Sequence, residues 1–368
     1  MIRHEVKGMR SQGLSSKAVN PKALNPKRVG MALALAAMIG LLAGCVISPR
    51  RDGTPSPTPT PTGPGKLYVT NEATGTIVRF DGALTATGNL TPGATISGLS
   101  GPQYMTIDTV ADRLYVANQN AGVVLVYDNA STKTGNINAD RSIGGLTAPQ
   151  DVALDRSNNI LYVADGAAIK VFNGASAANG TPAPARSITP QVGGVGFTPS
   201  AIFLDTANNR LYVADSVGSA VNIYDNAAIL NGAVNANRSL SGASTGLSLP
   251  DGVQVDAIGR LIVANNNPAS VTVYANAATV NGNITPTATV SGSATTLGGP
   301  SQILVTTGNE LYIADGVQGQ VAIFAGFNAA SGNIGPNRAI GGSNTTLNRS
   351  NGGSGPTTAR GLVLDPTR

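Results

Sequence analysis

Tryptophan is absent from this 368-residue chain, and cysteine and histidine occur once each, as Cys45 and His4. One cysteine excludes a disulfide scaffold, and one of each excludes a Cys/His zinc cluster. No Ser-His-Asp triad can be assembled after residue 4, and no Gly-rich phosphate loop ending in Lys-Ser or Lys-Thr is present. Charged residues make up only 12%. Beyond residue 45 the only lysines are Lys66, Lys133 and Lys170, and the only glutamates are Glu72 and Glu310. The apolar run over residues 31–43 is 13 residues long, too short for a membrane-spanning helix, which needs about 20. Glycine (46) and proline (22) are abundant instead, at a level that fits a turn-dense all-β protein rather than a low-complexity chain.

The formal charge of +5 belongs to the first residues. Seven of the 24 basic residues and one of the 19 acids precede Cys45, which leaves 17 against 18 from there on. Those 17 are scattered singly. Nucleic acid is therefore excluded as a partner, because phosphate binding needs a clustered positive stripe.

A polar, basic stretch over residues 1–30 precedes the short apolar run, which is the pattern of a secretory signal. The run ends Leu42-Ala43-Gly44-Cys45, and this resembles the lipobox of bacterial lipoproteins. The resemblance implies a signal peptide over 1–44, removed on the amino side of Cys45. It also implies acylation of Cys45, with palmitate-type chains, and membrane attachment through that lipid. Several chains are needed, since one alone anchors only marginally. Val46 in place of an acidic residue implies the outer membrane or the cell surface within a bacterial envelope. Residues 45–65 contain the run TPSPTPTPTGPG, which favours extended polyproline geometry and reads as a stalk of on the order of 60 Å.

From residue 66 the chain is repetitive. Leu-Tyr-Val or a near variant opens at Leu67, Leu114, Leu161, Leu211, Leu261 and Leu311, at spacings of 47, 47, 50, 50 and 50. Asn or Asp follows each (Asn71, Asn118, Asp165, Asp215, Asn265, Asp315), and then a second apolar stretch ends in an aromatic. A Pro-led stretch precedes the later five: PQYMTID, PQDVALD, PSAIFLD, PDGVQVD and PSQILVT. Four β-rich stretches per unit of 40–50 residues mean a propeller blade. The first unit lacks its Pro-led strand, and ARGLVLDPTR at residues 359–368 supplies the missing one. The expected fold is all-β: a six-bladed propeller of four-stranded blades over 66–368, its ring closed by the C-terminal strand completing the first blade. Eleven of the 15 aromatics occupy two repeat positions and read as core between blades. The Asp that ends most inner strands reads as a turn cap.

Pro-x-x-Val-x-Leu-Asp, Asn-x-Leu-Tyr-Val-Ala-Asp and Val-x-Val-Tyr together resemble the NHL repeat and the closely similar YVTN-type repeat, legible at Tyr68-Val69-Thr70-Asn71. The resemblance covers nearly the whole body and implies fold more than function. Propellers of this kind include protein-binding platforms, RNA-binding domains, metal-dependent lyases and lactonases. The lyases rely on His, which this body lacks. The sugar lactonases use a Glu/Asn/Asp metal site in the channel.

In a propeller, ligands meet the face where the inner strands begin. The candidate binding residues there are Gln103, Tyr104, Gln150, Asp151, Ser200, Asp251, Ser301, Gln302 and Arg360. The Asn/Asp ring that follows the Leu-Tyr-Val strands could offer oxygens to Ca²⁺, but repetition at every blade favours loop capping. The favoured reading is a lipid-anchored binding or scaffold module with no cofactor, whose ligand is an unidentified protein or small molecule. The alternative is a lactonase-type hydrolase using Ca²⁺ or another divalent metal on Asp151 and Asp251. A third reading is a structural surface protein without a specific ligand.

Overall fold

The computed structural model describes residues 63–347 and 359–368. The signal peptide expected over 1–44, Cys45 with its acyl chains, and all but the last residues of the stalk lie outside the described residues. Among the described residues, no helix is long and apolar enough to cross a membrane.

Every repeat folds as a four-stranded antiparallel sheet, and there are six of them. Blade 2 is representative. Its strands run Pro102–Asp108, Arg113–Asn118, Val123–Asp128 and Arg141–Ile143, from the ring axis outward. Blade 1 is assembled from both ends of the chain. Its inner strand Ala359–Asp365 pairs with Lys66–Asn71, with Leu364 opposite Leu67 and Val363 opposite Tyr68. Gly65 N–H then donates to the Arg368 carbonyl at 2.9 Å. The expected ring closure is thus realised.

Both faces of each blade pack on neighbours, which explains strands apolar at consecutive positions. A buried cluster fills each junction between blades. Between blades 6 and 1, for example, Tyr312, Val321, Ile323 and Ile340 meet Leu67, Val69, Phe80 and Leu362. Each such side chain contributes roughly 1.5–3 kcal/mol by leaving water. The repeated tyrosines lie in these junctions as expected, fully buried at Tyr68, Tyr115, Tyr162, Tyr212 and Tyr312. Three also donate across the junction, Tyr162, Tyr212 and Tyr312 reaching the carbonyls of Ala227, Ala277 and Ala83.

The Asp residues that end inner strands cap the following turn. Asp108 accepts from the backbone of Val110 and Ala111, Asp155 from Asn158, Asp205 from Asn208, and Asp365 from Thr367.

A second seam, not expected from sequence, runs around the rim. In every blade the loop between the third and fourth strands carries a glycine with positive φ: Gly88, Gly135, Gly180, Gly232, Gly282 and Gly332, between 71° and 90°. Only glycine adopts this conformation without strain. Each of these glycines forms a parallel bridge to the outer strand of the preceding blade, as Gly88 does to Ile340 and Gly282 to Leu240. Gly88 N–H donates to Ala339 O at 2.6 Å, and Gly88 O accepts from Gly341 N–H at 3.2 Å. The outermost strands therefore do not present a bare edge to solvent, which protects against edge-to-edge association.

Candidate functional site

The six inner strands converge on the axis. The first residue after the opening Pro (Ala359 in blade 1) is Arg360, Gln103, Gln150, Ser200, Asp251 or Ser301, in blade order. The second is Gly361, Tyr104, Asp151, Ala201, Gly252 or Gln302.

Four of the expected residues form one network. The Arg360 guanidinium donates to Asp251 Oδ2 at 2.9 Å through Nη1 and to Gln103 Oε1 at 3.1 Å through Nε. Its Nε also lies 3.5 Å from Glu72 Oε2. It sits over the Tyr104 ring, 5.4 Å from the centroid, a favourable place for a cation. The Tyr104 hydroxyl reaches across the axis, from blade 2 to blade 5, and donates to the Asp251 carbonyl at 2.6 Å. Burial pushes the Tyr104 hydroxyl well above its ordinary pKa, so it stays protonated and able to donate. Tyr104, Arg360 and Asp251 thus bar the channel at the end where the inner strands begin.

Other expected residues serve the backbone. The inner strands turn unpaired N–H and C=O groups toward the axis, and burial makes these costly to leave unpaired. Ser200 Oγ lies 3.0 Å from Ala214 O and 2.9 Å from Pro250 O. Ser301 Oγ donates to Arg360 O at 2.8 Å. Gln302 donates to Met105 O at 3.1 Å and accepts from Leu362 N–H at 2.8 Å. Gln254, which sequence reasoning passed over, accepts from Val305 N–H at 2.6 Å. Gln150 is half-buried in its inner strand and makes none of the contacts of this network.

Asp151 stands apart. It is buried, and its two oxygens accept from Val152 N–H and Ile202 N–H, both at 2.7 Å. Burial is the largest influence and pushes its carboxyl up to about 7; the two backbone donors oppose this and the Asp251 charge adds to it. Such a group can both take and give a proton near neutrality.

Below the Tyr104–Arg360 bar lies a cavity of about 200 Å³, lined by Tyr104, Asp151, Phe203, Gln254, Gln302 and Leu304 among others.

The Asn/Asp ring caps loops, as repetition suggested. Asn118 accepts from Ser100 N–H, Asp165 from Thr147 and Ala148, Asp215 from Gly218, Asn265 from Ser248, and Asp315 from Gly298, Gly299 and Gln318. Asn71 accepts from Thr74 N–H and donates to Thr346 O.

A divalent metal does not fit Asp151 and Asp251. Asp251 is already neutralised by the Arg360 guanidinium, which leaves Asp151 as the one unpaired carboxylate of the two. Among the described residues, no three or more His, Cys, Asp or Glu side chains converge as a metal ligand set.

Two family models match parts of the chain. The SMP-30/gluconolactonase/LRE-like region matches residues 151–313, and the seven-bladed β-propeller lactonase family matches residues 66–194. The second match lies within the first three blades and the connection after them, so it does not bear on the blade count, which ring closure sets at six. No curated protein matches the chain. Among solved structures, a nidogen/laminin complex is similar with a TM-score of 0.53 at 14% identity, over 82% of this chain and 98% of the other. A functionally unknown protein from Desulfotomaculum acetoxidans DSM 771 gives 0.47 at 14% identity, over 76% and 80%. At such identity the first likeness is one of fold. The chain is a six-bladed β-propeller with regional similarity to lactonase-type families.

Proposed function

We propose that this propeller is a lactonase-type hydrolase that acts on a small lactone or ester in its central cavity without a bound metal. The observation that carries the reading is Asp151, a buried carboxyl lining the cavity and held at about 7. A base at that pKa takes a proton from water attacking an acyl carbon and returns it to the departing alkoxide. The two regional matches to lactonase-type families support the same reaction class. Turnover of a panel of lactones and aryl esters in excess chelator tests it. Hydrolysis that survives chelation and falls at least 100-fold in Asp151→Asn is expected, and no hydrolysis of any member overturns it.

The second reading is a non-enzymatic binding module. It is favoured by the Tyr104–Arg360–Asp251 bar and by the axial polar groups bound to backbone. Retention of a ligand without turnover separates it from the first.

Attachment to the bacterial envelope, at the outer membrane or cell surface, through acylated Cys45 belongs to either reading. Cys45→Ser should move the protein from the membrane fraction to the soluble one; equal retention of the variant rejects lipidation.

A further inference from the structure

Four Asn-Gly pairs lie among the described residues: Asn173-Gly174, Asn179-Gly180, Asn231-Gly232 and Asn281-Gly282. This dipeptide loses its side-chain amide readily, because a following residue without a Cβ lets its backbone nitrogen reach the Asn Cγ. All four asparagines are exposed, so access to water does not separate them. Their hydrogen bonds do.

Three of the pairs belong to the rim seam. Asn179, Asn231 and Asn281 Oδ1 each accept from a backbone N–H of the preceding blade, those of Ser142, Ser187 and Ser239, all at 3.1 Å. The glycines that follow are held by the same strands. Gly180 bridges Ile143, Gly232 pairs with Ile188, and Gly282 N–H donates to Ser239 O at 2.7 Å. Attack on these amides requires the seam to open. Asn173 ends the third strand of blade 3, outside the seam. Among the described residues its side chain has no hydrogen-bond partner.

The register gives Asn173 a second distinction. It lies opposite Ile160, where Asp128 lies opposite Arg113 and Asp225 opposite Arg210. Those two aspartates also hold the arginine that opens the fourth strand of their blade, Arg141 or Arg238. In blade 6 Glu310 holds Arg338. Blade 3 has the same arginine, Arg186, without a carboxylate among the described residues. Arg186 donates to the carbonyls of Ala227 at 3.1 Å and Leu230 at 2.9 Å and to the Tyr162 hydroxyl at 3.2 Å.

We propose that Asn173 is a self-modifying site, deamidating ahead of the seam asparagines to an aspartate that pairs with Arg186. The Gly174 nitrogen attacks Asn173 Cγ. The Cγ–Nδ2 bond breaks, and ammonia leaves with the Gly174 N–H proton, which closes a cyclic imide. Water then opens the imide. Opening at Cγ restores the main chain with aspartate at 173; opening at the main-chain carbonyl gives the isoaspartyl linkage. Water is the only co-reactant. The inference is independent of the reaction proposed for the cavity.

Peptide mapping by mass spectrometry tests it on the full protein, incubated in mildly alkaline buffer with and without denaturant. In the folded protein Asn173 should convert at least about tenfold faster than Asn179, Asn231 and Asn281, which must first open locally. In denaturant the four rates should converge. Equal rates in the folded protein, or the same preference for Asn173 in denaturant, overturn the protection by the seam. Asn173→Asp, made directly, should raise the denaturant midpoint, and the gain should shrink in high salt and vanish in an Arg186→Met background. A gain that survives Arg186→Met, or no gain, rejects the pairing with Arg186.

Discussion

The blades and the axis obey different rules. In the second and third strands the six blades are near copies, and each copy meets the same neighbours, so Leu67, Leu114, Leu161, Leu211, Leu261 and Leu311 are all fully buried. At the two residues after the opening Pro, or after Ala359 in blade 1, no two blades share both: Arg-Gly, Gln-Tyr, Gln-Asp, Ser-Ala, Asp-Gly and Ser-Gln. A junction between blades is one physical problem solved six times. The axis is one place where six strands meet, and six identical charged or bulky side chains could not share it. Repetition thus marks packing, and its loss marks the part of the molecule that has a single job.

The largest expected effect breaks the repeat side of this comparison. Deleting residues 359–368 removes the inner strand of blade 1 and uncovers Leu67, Val69 and Tyr68. A loss on the order of the whole folding stability, about 5–15 kcal/mol, is expected, read as aggregation or a collapsed melting midpoint. A truncated protein that melts unchanged would show that the ring closes without this strand.

The axis should reveal itself through pH. Below the unfolded value of 3.8 Asp151 is protonated in both states. Between 3.8 and about 7 the unfolded chain releases the proton while the folded chain keeps it, so stability falls as pH rises, and the loss is complete above 7. Roughly three units at about 1.4 kcal/mol each set an upper bound near 4 kcal/mol. Asp151→Asn gives up one backbone acceptor at every pH but lacks this slope. Relative to the native protein the variant should therefore gain stability from pH 4 to pH 8 in thermal melts. Parallel curves would place the Asp151 carboxyl back in the ordinary range.

Two ion pairs sharpen the contrast. Arg360→Met leaves Asp251, whose side chain is 13% exposed, without its cation, and a cost of about 3 kcal/mol is expected. Arg238→Met removes one of two arginines from Asp225, which is 31% exposed and still held by Arg210; less than about 1 kcal/mol is expected. Equal costs in denaturant unfolding would erase the distinction between axis and rim.

The smallest effect is a gain. Asn222 is fully buried in a third strand, and neither its amide nitrogen nor its oxygen has a partner. The corresponding residues of blades 1, 2 and 6 are Val78, Leu125 and Ala322. Asn222→Val should stabilise by about 1 kcal/mol, measured as a higher denaturant midpoint; a lower midpoint would mean that the amide has an ordered partner, such as water.

Sequence reading went far on the repeat side because period and polarity report on it directly. Tyr212 is core since every equivalent aromatic is, and Asp155 caps a turn since Asp ends the strand before Asn and Ser. It went less far at the axis. Arg360 follows the first residue of its inner strand, as the repeat pattern says, but its partners are Asp251 and Glu72, 109 and 288 positions away in the chain, and no local pattern links them. The rim seam was half legible. Gly-Asn reads as a turn, yet nothing in Gly282-Asn283 says that the turn reaches Leu240 of the preceding blade.

The sequence by itself determined the blade count, the joining of the two chain ends in blade 1 and the faces that pack, because these follow from hydrophobic periodicity and from one repeat interrupted at the termini. Only the tertiary structure decided that the channel is barred by Tyr104 and Arg360, that Asp151 is buried against the backbone of the next blade, and that Asp151 and Tyr104 line one axial cavity. These depend on distances across the ring axis, where residues from different blades come within 3 Å, and on burial that only the closed ring creates.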